Sequence, residues 1–444
     1  MQNTNRLTPG RAATALASAM LATAYAGSAM AQAPISTAPT NATQGATPPP
    51  TAPAAPDAPK PWVAPASFAE WASAIKLTFQ GNAGIIVNTD DPHNQTNFGQ
   101  LFTDKSNRPI LNQLLFTVAR DLDATATSWE YGFKLQLMYG SDARITHSIG
   151  LFDQAIHDRN QFDVVEANGS VRIPVIEGGV DLKVGIYPTP LGVETIDPKG
   201  NPFYSKSYIF NYGLPFKHTG GLAIVHLTPM IDLYGGVDVG VNTFTDNNNS
   251  AGYIAGFGLT LLGGNLTVLA LSHFGAENPS NVRAPFGNDG YRYLNDVDIV
   301  YKATDKLTFT TELNYVRDDG YRAEAFGAAQ YVSYVLNDQF TLNGRAEVYR
   351  DPNNFFVSNP RNNRDYINFQ RGSYSTFITA SRPTTYSEFT AGVTYKPEGL
   401  PKQVANLLIR PELRYDRALN NSRPFGDSNW RGVFTLGTDV VLAF

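Results

Sequence analysis

The segment SWEYGFKLQLMY, residues 128–139, alternates in side-chain character at every position except its end. Its odd-numbered members from Trp129 to Tyr139 are aromatic or aliphatic, whereas Glu130 and Lys134 occupy even-numbered positions. Successive side chains of a β-strand point to opposite faces, so a period of two separates the two kinds of residue. The segment therefore predicts a β-strand with one apolar and one polar face.

The same alternation recurs along the chain and predicts about sixteen strands, within a range of 14 to 18. The segment 373–382 is the strongest candidate for an additional strand. The predicted strands are residues 75–87, 111–120, 128–139, 162–173, 180–187, 219–227, 231–243, 251–262, 266–274, 291–302, 307–317, 324–336, 340–350, 387–395, 407–417 and 432–444.

The connections between the predicted strands mostly alternate in length, with 244–250 and 318–323 as short exceptions among the long ones. Connections such as 228–230 and 263–265 are brief, whereas 188–218 and 351–386 are long. Short periplasmic turns and long extracellular loops are typical of outer-membrane barrels. The sequence therefore predicts an all-β fold, a transmembrane antiparallel up-and-down β-barrel. About sixteen strands leave room for an aqueous channel, whereas eight strands would be filled by side chains.

The N-terminal residues predict export. Arg6 and Arg11 precede a small apolar stretch, and Ala29-Met30-Ala31 matches the small-residue cleavage pattern of a signal peptide, residues 1–31. Residues 32–65 are rich in Pro, Ala and Thr and predict a disordered periplasmic linker, with an arm that touches the cell wall as the alternative. Residues 66–444 are predicted to form the barrel.

The composition excludes several other functions. The chain has no Cys, so disulfides and thiolate metal sites are ruled out, and a net charge of -5 disfavours nucleic acid as a partner. The six histidines show no metal-ligand spacing, and motifs of hydrolases, metalloproteases and P-loop proteins are missing. We expect no cofactor, no metal and no catalysis, although an active site assembled by the fold alone stays open.

The C-terminal segment GVFTLGTDVVLAF, residues 432–444, predicts a final amphipathic strand that ends on Phe444. A last strand with a terminal aromatic residue resembles the recognition signal of the outer-membrane barrel assembly machinery. That machinery would bind an exposed strand edge by β-augmentation. The alternative is an ordinary last strand without a signalling role.

Several short motifs carry a family resemblance. The segments VGIYPTPLG, residues 184–192, and NPFYSKSYIFNYGLPFKHTG, residues 201–220, resemble the OmpL-like β-barrel porin family. The segment PELRYD, residues 411–416, and the Phe444 ending are similar to that family as well. The resemblance spans about residues 70–444 and implies a porin-like role, without a defined substrate or catalytic residues.

Together these features predict an outer-membrane porin of a Gram-negative bacterium, which passes small hydrophilic solutes or ions by passive diffusion. A channel selective for sugars or organic acids and a non-conducting structural or adhesive barrel are the alternatives. The expected partners are outer-membrane lipid and lipopolysaccharide, the barrel assembly machinery and small solutes. A homo-oligomer stays open.

If the apolar faces meet lipid, the polar faces line the lumen, where charged residues bias ion passage. For each of them a salt bridge within the barrel wall is the alternative. The candidate pore-lining residues are Glu130, Lys134, Glu166, Arg172, Asp181, Lys183, Asp232, Asp238, Asp296, Asp298, Glu312, Arg345, Glu347, Glu388, Arg410, Glu412 and Arg414.

The long connection 188–218 follows the fifth predicted strand, where the loop of general porins often folds inward and narrows the channel. We predict the same here, with a folded external cap as the alternative. The candidate constriction residues are Phe203, Tyr204, Lys206, Tyr208, Tyr212 and Lys217.

Overall fold

The structure is a computed structural model that describes residues 68–123, 125–155 and 158–444. Sixteen antiparallel strands close into one barrel, which confirms the predicted fold class and strand number. The barrel strands are β1 Lys76–Asn88, β2 Pro109–Arg120, β3 Glu130–Gly140, β4 Gln161–Ile173, β5 Val180–Pro188, β6 Lys217–Thr228, β7 Ile231–Asp238, β8 Gly252–Leu261, β9 Leu266–Ala276, β10 Tyr291–Lys302, β11 Leu307–Asp318, β12 Ala323–Val335, β13 Phe340–Asp351, β16 Thr384–Tyr395, β17 Asn406–Ala418 and β18 Gly432–Ala443.

The predicted signal peptide, residues 1–31, and the predicted linker, residues 32–65, lie outside the described residues. Two further strands, β14 Ser358–Pro360 and β15 Phe377–Thr379, pair with each other and not with the barrel. The segment 373–382 thus contains a strand, but a short one that belongs to a loop.

The helices are short. Among the described residues three are α-helices: α1 Phe68–Ser73, α2 Ala143–Thr146 and α3 Asp365–Gln370. Single 3-10 turns span Asp153–Ala155, Pro198–Gly200 and Leu262–Gly264, and a π-helical turn spans Ile209–Gly213. Within the described ranges no helix is both long and apolar enough to cross a membrane.

The two faces of the strands follow the predicted alternation. In β3 the outward Tyr131 and Tyr139 are exposed, whereas the inward Gln136 is buried. In β17 the outward Leu413 is exposed and its neighbour Glu412 is buried. An exposed apolar outer surface around a polar interior is the arrangement that a barrel in lipid requires.

Strand β7 is shorter than its predicted range of 231–243, because it ends at Asp238. Gly240 has a φ of 113° and Asn242 a φ of 54°, backbone conformations that interrupt an extended strand. The carboxylate of Asp238 accepts a hydrogen bond from the Gly240 N–H at 2.8 Å and holds this turn in place.

The first and last strands complete the barrel. Strand β1 pairs with β18, and the Phe444 N–H donates to the Phe79 carbonyl at 2.8 Å. The first residue of β1 and the last residue of β18 lie at the end of the barrel that carries the short connections, here called the short-turn end. The opposite, long-loop end carries L1 89–108, L2 141–160, L3 189–216, L4 239–251, L5 277–290, L6 319–322, L7 352–383 and L8 419–431.

Candidate site in the barrel lumen

Loop L3 crosses the lumen. It leaves β5 and returns on β6, yet its backbone contacts side chains of β13 and β17. Strand β13 is the eighth strand from β5 in either direction around the barrel, and therefore lies opposite it. A loop that joins neighbouring strands and contacts the far wall must pass through the interior.

Three arginines of the far wall, Arg345 on β13 and Arg410 and Arg414 on β17, form what we call the arginine row. Each donates a hydrogen bond to a backbone carbonyl of L3. The acceptors are Ser205 at 3.0 Å, Asn201 at 2.6 Å and Lys206 at 2.7 Å, in the same order. The row therefore fixes the course of the loop backbone.

Each guanidinium of the row is also paired with a carboxylate. Arg345 contacts Glu388 at 3.0 Å and Glu194 of L3 at 2.6 Å. Arg410 donates to Asp439 at 2.9 Å, and Arg414 donates to Asp416 at 2.8 Å. All three arginines are buried, so these carboxylates supply the compensation that a charge removed from water needs.

Two glutamates on the same two strands accept hydrogen bonds from backbone amides of the same loop. Glu347 on β13 accepts from the Tyr208 N–H at 2.7 Å and from the Ile209 N–H at 2.8 Å. Glu412 on β17 accepts from the Tyr204 N–H at 2.8 Å. Arginines and glutamates of one wall thus bind the carbonyls and the amides of L3, respectively.

Aromatic side chains of L3 enter an apolar core at the long-loop end. Tyr208 stacks on Tyr386 with ring centroids 5.0 Å apart, and Phe210 contacts Phe102 of L1 at 5.4 Å. The Asn359 side chain of L7 donates to the Gln100 carbonyl of L1 at 2.7 Å. Loops L1, L3 and L7 are therefore packed together within this end of the barrel.

Three acidic residues, Asp296, Asp298 and Glu312 on β10 and β11, lie together in the wall, with one oxygen of each within 4.8 Å of the others. L3 covers this carboxylate cluster, since the Val193 N–H donates to Glu312 at 3.2 Å. Asp296 accepts a hydrogen bond from Asn314 at 2.9 Å.

The wall formed by β3, β4 and β5 has a different character. Lys134 and Lys183, here called the lysine pair, contact Glu166 at 2.8 Å and 3.6 Å. Their side chains remain 35% and 40% exposed. These are charged groups of the inner face that keep contact with solvent.

The family model described as "Putative beta-barrel porin-2, OmpL-like" matches residues 76–444. The chain belongs to this porin family. None of the curated protein sequences matches it.

Solved porins share the fold of this porin at low sequence identity. The anion-selective porin from Comamonas acidovorans is 8% identical, with a TM-score of 0.52 over 83% of this chain and 99% of that one. Pseudomonas putida OprB is 11% identical, with a TM-score of 0.51 over 84% and 95%. Salmonella typhi OmpF in complex with daunomycin is 11% identical, with a TM-score of 0.51 over 83% and 97%.

The remaining candidates occupy varied positions in the porin. Lys217 is the first residue of β6, not a loop residue, and its ammonium contacts Asp163 at 2.7 Å. This corrects the predicted loop bounds of 188–218, because pairing with β5 extends β6 to Lys217. Near the short-turn end, Arg172 contacts Asp181 at 3.2 Å and Glu130 contacts Arg120 at 3.1 Å.

Two further acidic candidates, Asp232 and Asp238, are in contact with histidines. Asp232 accepts a hydrogen bond from His226 at 2.8 Å, and Asp238 lies between His218 and His273. The sequence separates these histidines by many residues, so spacing gave no sign of their proximity.

The constriction candidates of L3, Phe203, Tyr204, Lys206, Tyr208 and Tyr212, lie in the lumen. The Lys206 ammonium donates to the Thr195 carbonyl at 2.9 Å. Burial lowers the pKa of Lys206 to about 8, with Glu194 opposing the shift.

Asp142 of L2 was not among the predicted site residues, yet it is connected to L3 through the side chain of Gln113. Its two carboxylate oxygens accept hydrogen bonds from Asn112 and Gln113, each at 2.9 Å, and Gln113 also donates to the Ile196 carbonyl of L3 at 2.8 Å. Burial raises the pKa of Asp142 to about 6, although the two amide donors act against it. Only the fold brings L2 and L3 together, so pattern analysis had no means of finding this residue.

Proposed function

We propose that this porin spans the outer membrane of a Gram-negative bacterium and lets small hydrophilic solutes or ions diffuse passively through a lumen that L3 narrows. The observation that carries the proposal is the path of L3. Its backbone is bound by buried charges of β13 and β17, while the lysine pair remains exposed on another part of the wall. A fixed loop beside an exposed charged wall is suited to a narrow, charged passage.

The two walls would then serve different purposes. We infer that the arginine row and its glutamates hold L3, and that the lysine pair with Glu166 faces the passing solute. At the long-loop end, a cavity of about 320 Å³ is lined by Tyr212, Arg292 and Phe356 together with other residues of L3 and L7. This cavity is our candidate for the outer mouth of the passage.

The orientation and partners follow from the same proposal. The long loops would face the exterior and contact lipopolysaccharide, and both chain ends would face the periplasm. The exposed apolar side chains of the outer face, such as Leu413 and Val184, would contact membrane lipid. The terminal strand with Phe444 would be recognised by the barrel assembly machinery. The protein would act without catalysis.

Planar-bilayer recording of single channels tests the role of L3. Deletion of residues 200–215 removes the segment bound by the arginine row, and we expect a clear rise in conductance. Deletion of residues 244–250 in L4 is the control and should leave the conductance unchanged. An unaltered conductance after the L3 deletion would rule out the constriction.

The same recordings separate the alternatives. Saturable block of the current by a sugar or an organic acid would indicate a substrate-selective channel. A folded protein that never conducts, even without residues 200–215, would indicate a structural or adhesive barrel and would overturn the proposal.

A further inference from the structure

Two imidazoles and one carboxylate meet near the long-loop end of the barrel. His218 on β6 places its Nδ1 atom 3.0 Å from Asp238, the last residue of β7. His273 on β9 places its Nε2 atom 3.1 Å from the same carboxylate oxygen. One potential ligand atom from each residue lies within 4.8 Å of the other two, and all three side chains are fully buried.

The opposite ring nitrogen of each histidine faces its own polar group. His218 Nε2 lies 3.2 Å from the Thr189 hydroxyl of L3. His273 Nδ1 lies 3.9 Å from Glu277 Oε1. Among the described residues, His273 Nδ1 and Glu277 Oε1 are both buried without a hydrogen-bond partner. Metal-binding histidines commonly have an oxygen at the far nitrogen, which orients the ring.

A glycine on the intervening strand leaves the space that these three side chains occupy. Strand β8 lies between β7 and β9, and Gly252 is the β8 residue beside Asp238. A Cβ atom at Gly252 would lie 2.4 Å from the Asp238 carboxylate and 2.7 Å from His273 Nε2. Any larger residue would push the two ligands apart, so glycine here permits their contact across the strand.

We propose that His218, Asp238 and His273 bind a divalent transition-metal ion of the Zn²⁺ type. Imidazole and carboxylate ligands suit Zn²⁺, which binds such donors at about 2.0–2.2 Å. Tetrahedral geometry at that distance separates neighbouring ligand atoms by roughly 3.3 Å. The two observed nitrogen–oxygen separations of 3.0 Å and 3.1 Å are close to that value, and one nitrogen of each ring lies within 4.8 Å of the other.

The bound ion would join three strands and one loop. Its ligands come from β6, β7 and β9, and the Thr189 hydroxyl connects His218 to the start of L3. The ion would stabilise the long-loop end where L3 enters the lumen. This role is separate from conduction, and the inference stands whether or not L3 narrows the channel.

His226 provides an internal control. This histidine contacts Asp232 through Nδ1 at 2.8 Å and Asp181 through Nε2 at 3.1 Å. The two nitrogens point to opposite sides of the ring, so the two carboxylates cannot share one ion with it. His226→Gln should therefore remove an imidazole without removing a metal site.

The test uses the full-length protein refolded in detergent with Zn²⁺ and then freed of loose metal by a chelating resin. Elemental analysis should find Zn²⁺ equimolar with the wild type and with His226→Gln, and none above background in His218→Gln or His273→Gln. Glu277→Gln keeps the ligands and should weaken the affinity by about 10- to 100-fold, because it alters only the outer partner of His273.

Heat-modifiable gel migration checks that each variant has folded. If the histidine variants do not fold, wild-type protein loaded with Co²⁺ still decides the question through its visible ligand-field absorption and through imidazole scattering in X-ray absorption. Folded wild type that takes up no metal would overturn the proposal, as would metal uptake that the His218 and His273 substitutions leave unchanged.

Discussion

Two walls of this porin carry the same kinds of charged residue but hold them in different environments. On β13 and β17 the arginine row is buried against L3 and bonded to both carboxylates and carbonyls. On β3 and β5 the lysine pair shares Glu166 and stays more than a third exposed. A buried charge depends on its partners for stability, whereas an exposed charge is compensated by water. The charges of the first wall should therefore determine the stability of the fold, and those of the second should determine the ion selectivity of the channel.

The largest effect on stability is expected from the substitution Arg345→Met. It leaves Glu194 and Glu388 buried without the guanidinium of Arg345, and we expect a loss of about 3–5 kcal/mol in the free energy of unfolding. Denaturant unfolding followed by tryptophan fluorescence measures this change.

Arg317→Met is the matched control, because Arg317 is 53% exposed in its pair with Asp319. An exposed pair of this kind contributes less than about 1 kcal/mol. Equal losses in the two variants would abolish the distinction between buried and exposed charges.

The second prediction concerns the pH dependence of stability and a buried carboxyl group, Asp142, that accepts hydrogen bonds from the neutral amides of Asn112 and Gln113. The pKa of Asp142 is raised from 3.8 to about 6, chiefly by burial, so the folded state binds this proton more tightly than the unfolded state. Its stabilising contribution is complete below pH 3.8 and is lost as pH rises through about 6. At about 1.4 kcal/mol per pKa unit, the loss is about 3 kcal/mol.

Asp142→Asn should remove this part of the pH dependence. Unfolding curves of the wild type and the variant between pH 4 and 7 give the difference directly, since other titrating groups contribute to both. The prediction is wrong if the free energy of unfolding changes with pH by the same amount in the two proteins.

The smallest effect on stability is expected at the exposed wall. Lys183→Gln should change the free energy of unfolding by less than about 1 kcal/mol, because its contact with Glu166 is 3.6 Å long and part-exposed. It should nevertheless shift the ion selectivity towards cations, as a positive charge leaves the passage. Reversal potentials in a salt gradient measure the shift, and an unchanged potential would remove Lys183 from the pore wall.

The interior shows where prediction from sequence reached its limit. The pattern of β17 placed Arg410, Glu412 and Arg414 on the inner face, and they lie there. Their contacts with L3 could not be predicted, because residues 201–206 are about 200 positions away in the chain. The contact of His218 and His273 with one carboxylate could not be predicted either, because the two residues lie on strands separated by β7 and β8.

The sequence by itself determined the barrel, since a strand repeats its inward and outward faces every two residues and each hairpin requires only neighbouring segments. It also determined the strand number and the alternation of short and long connections. Only the tertiary structure decided which inward charges are covered and which meet solvent. That outcome depends on closing sixteen strands and passing L3 across the space inside, which sets residues far apart in the chain against each other.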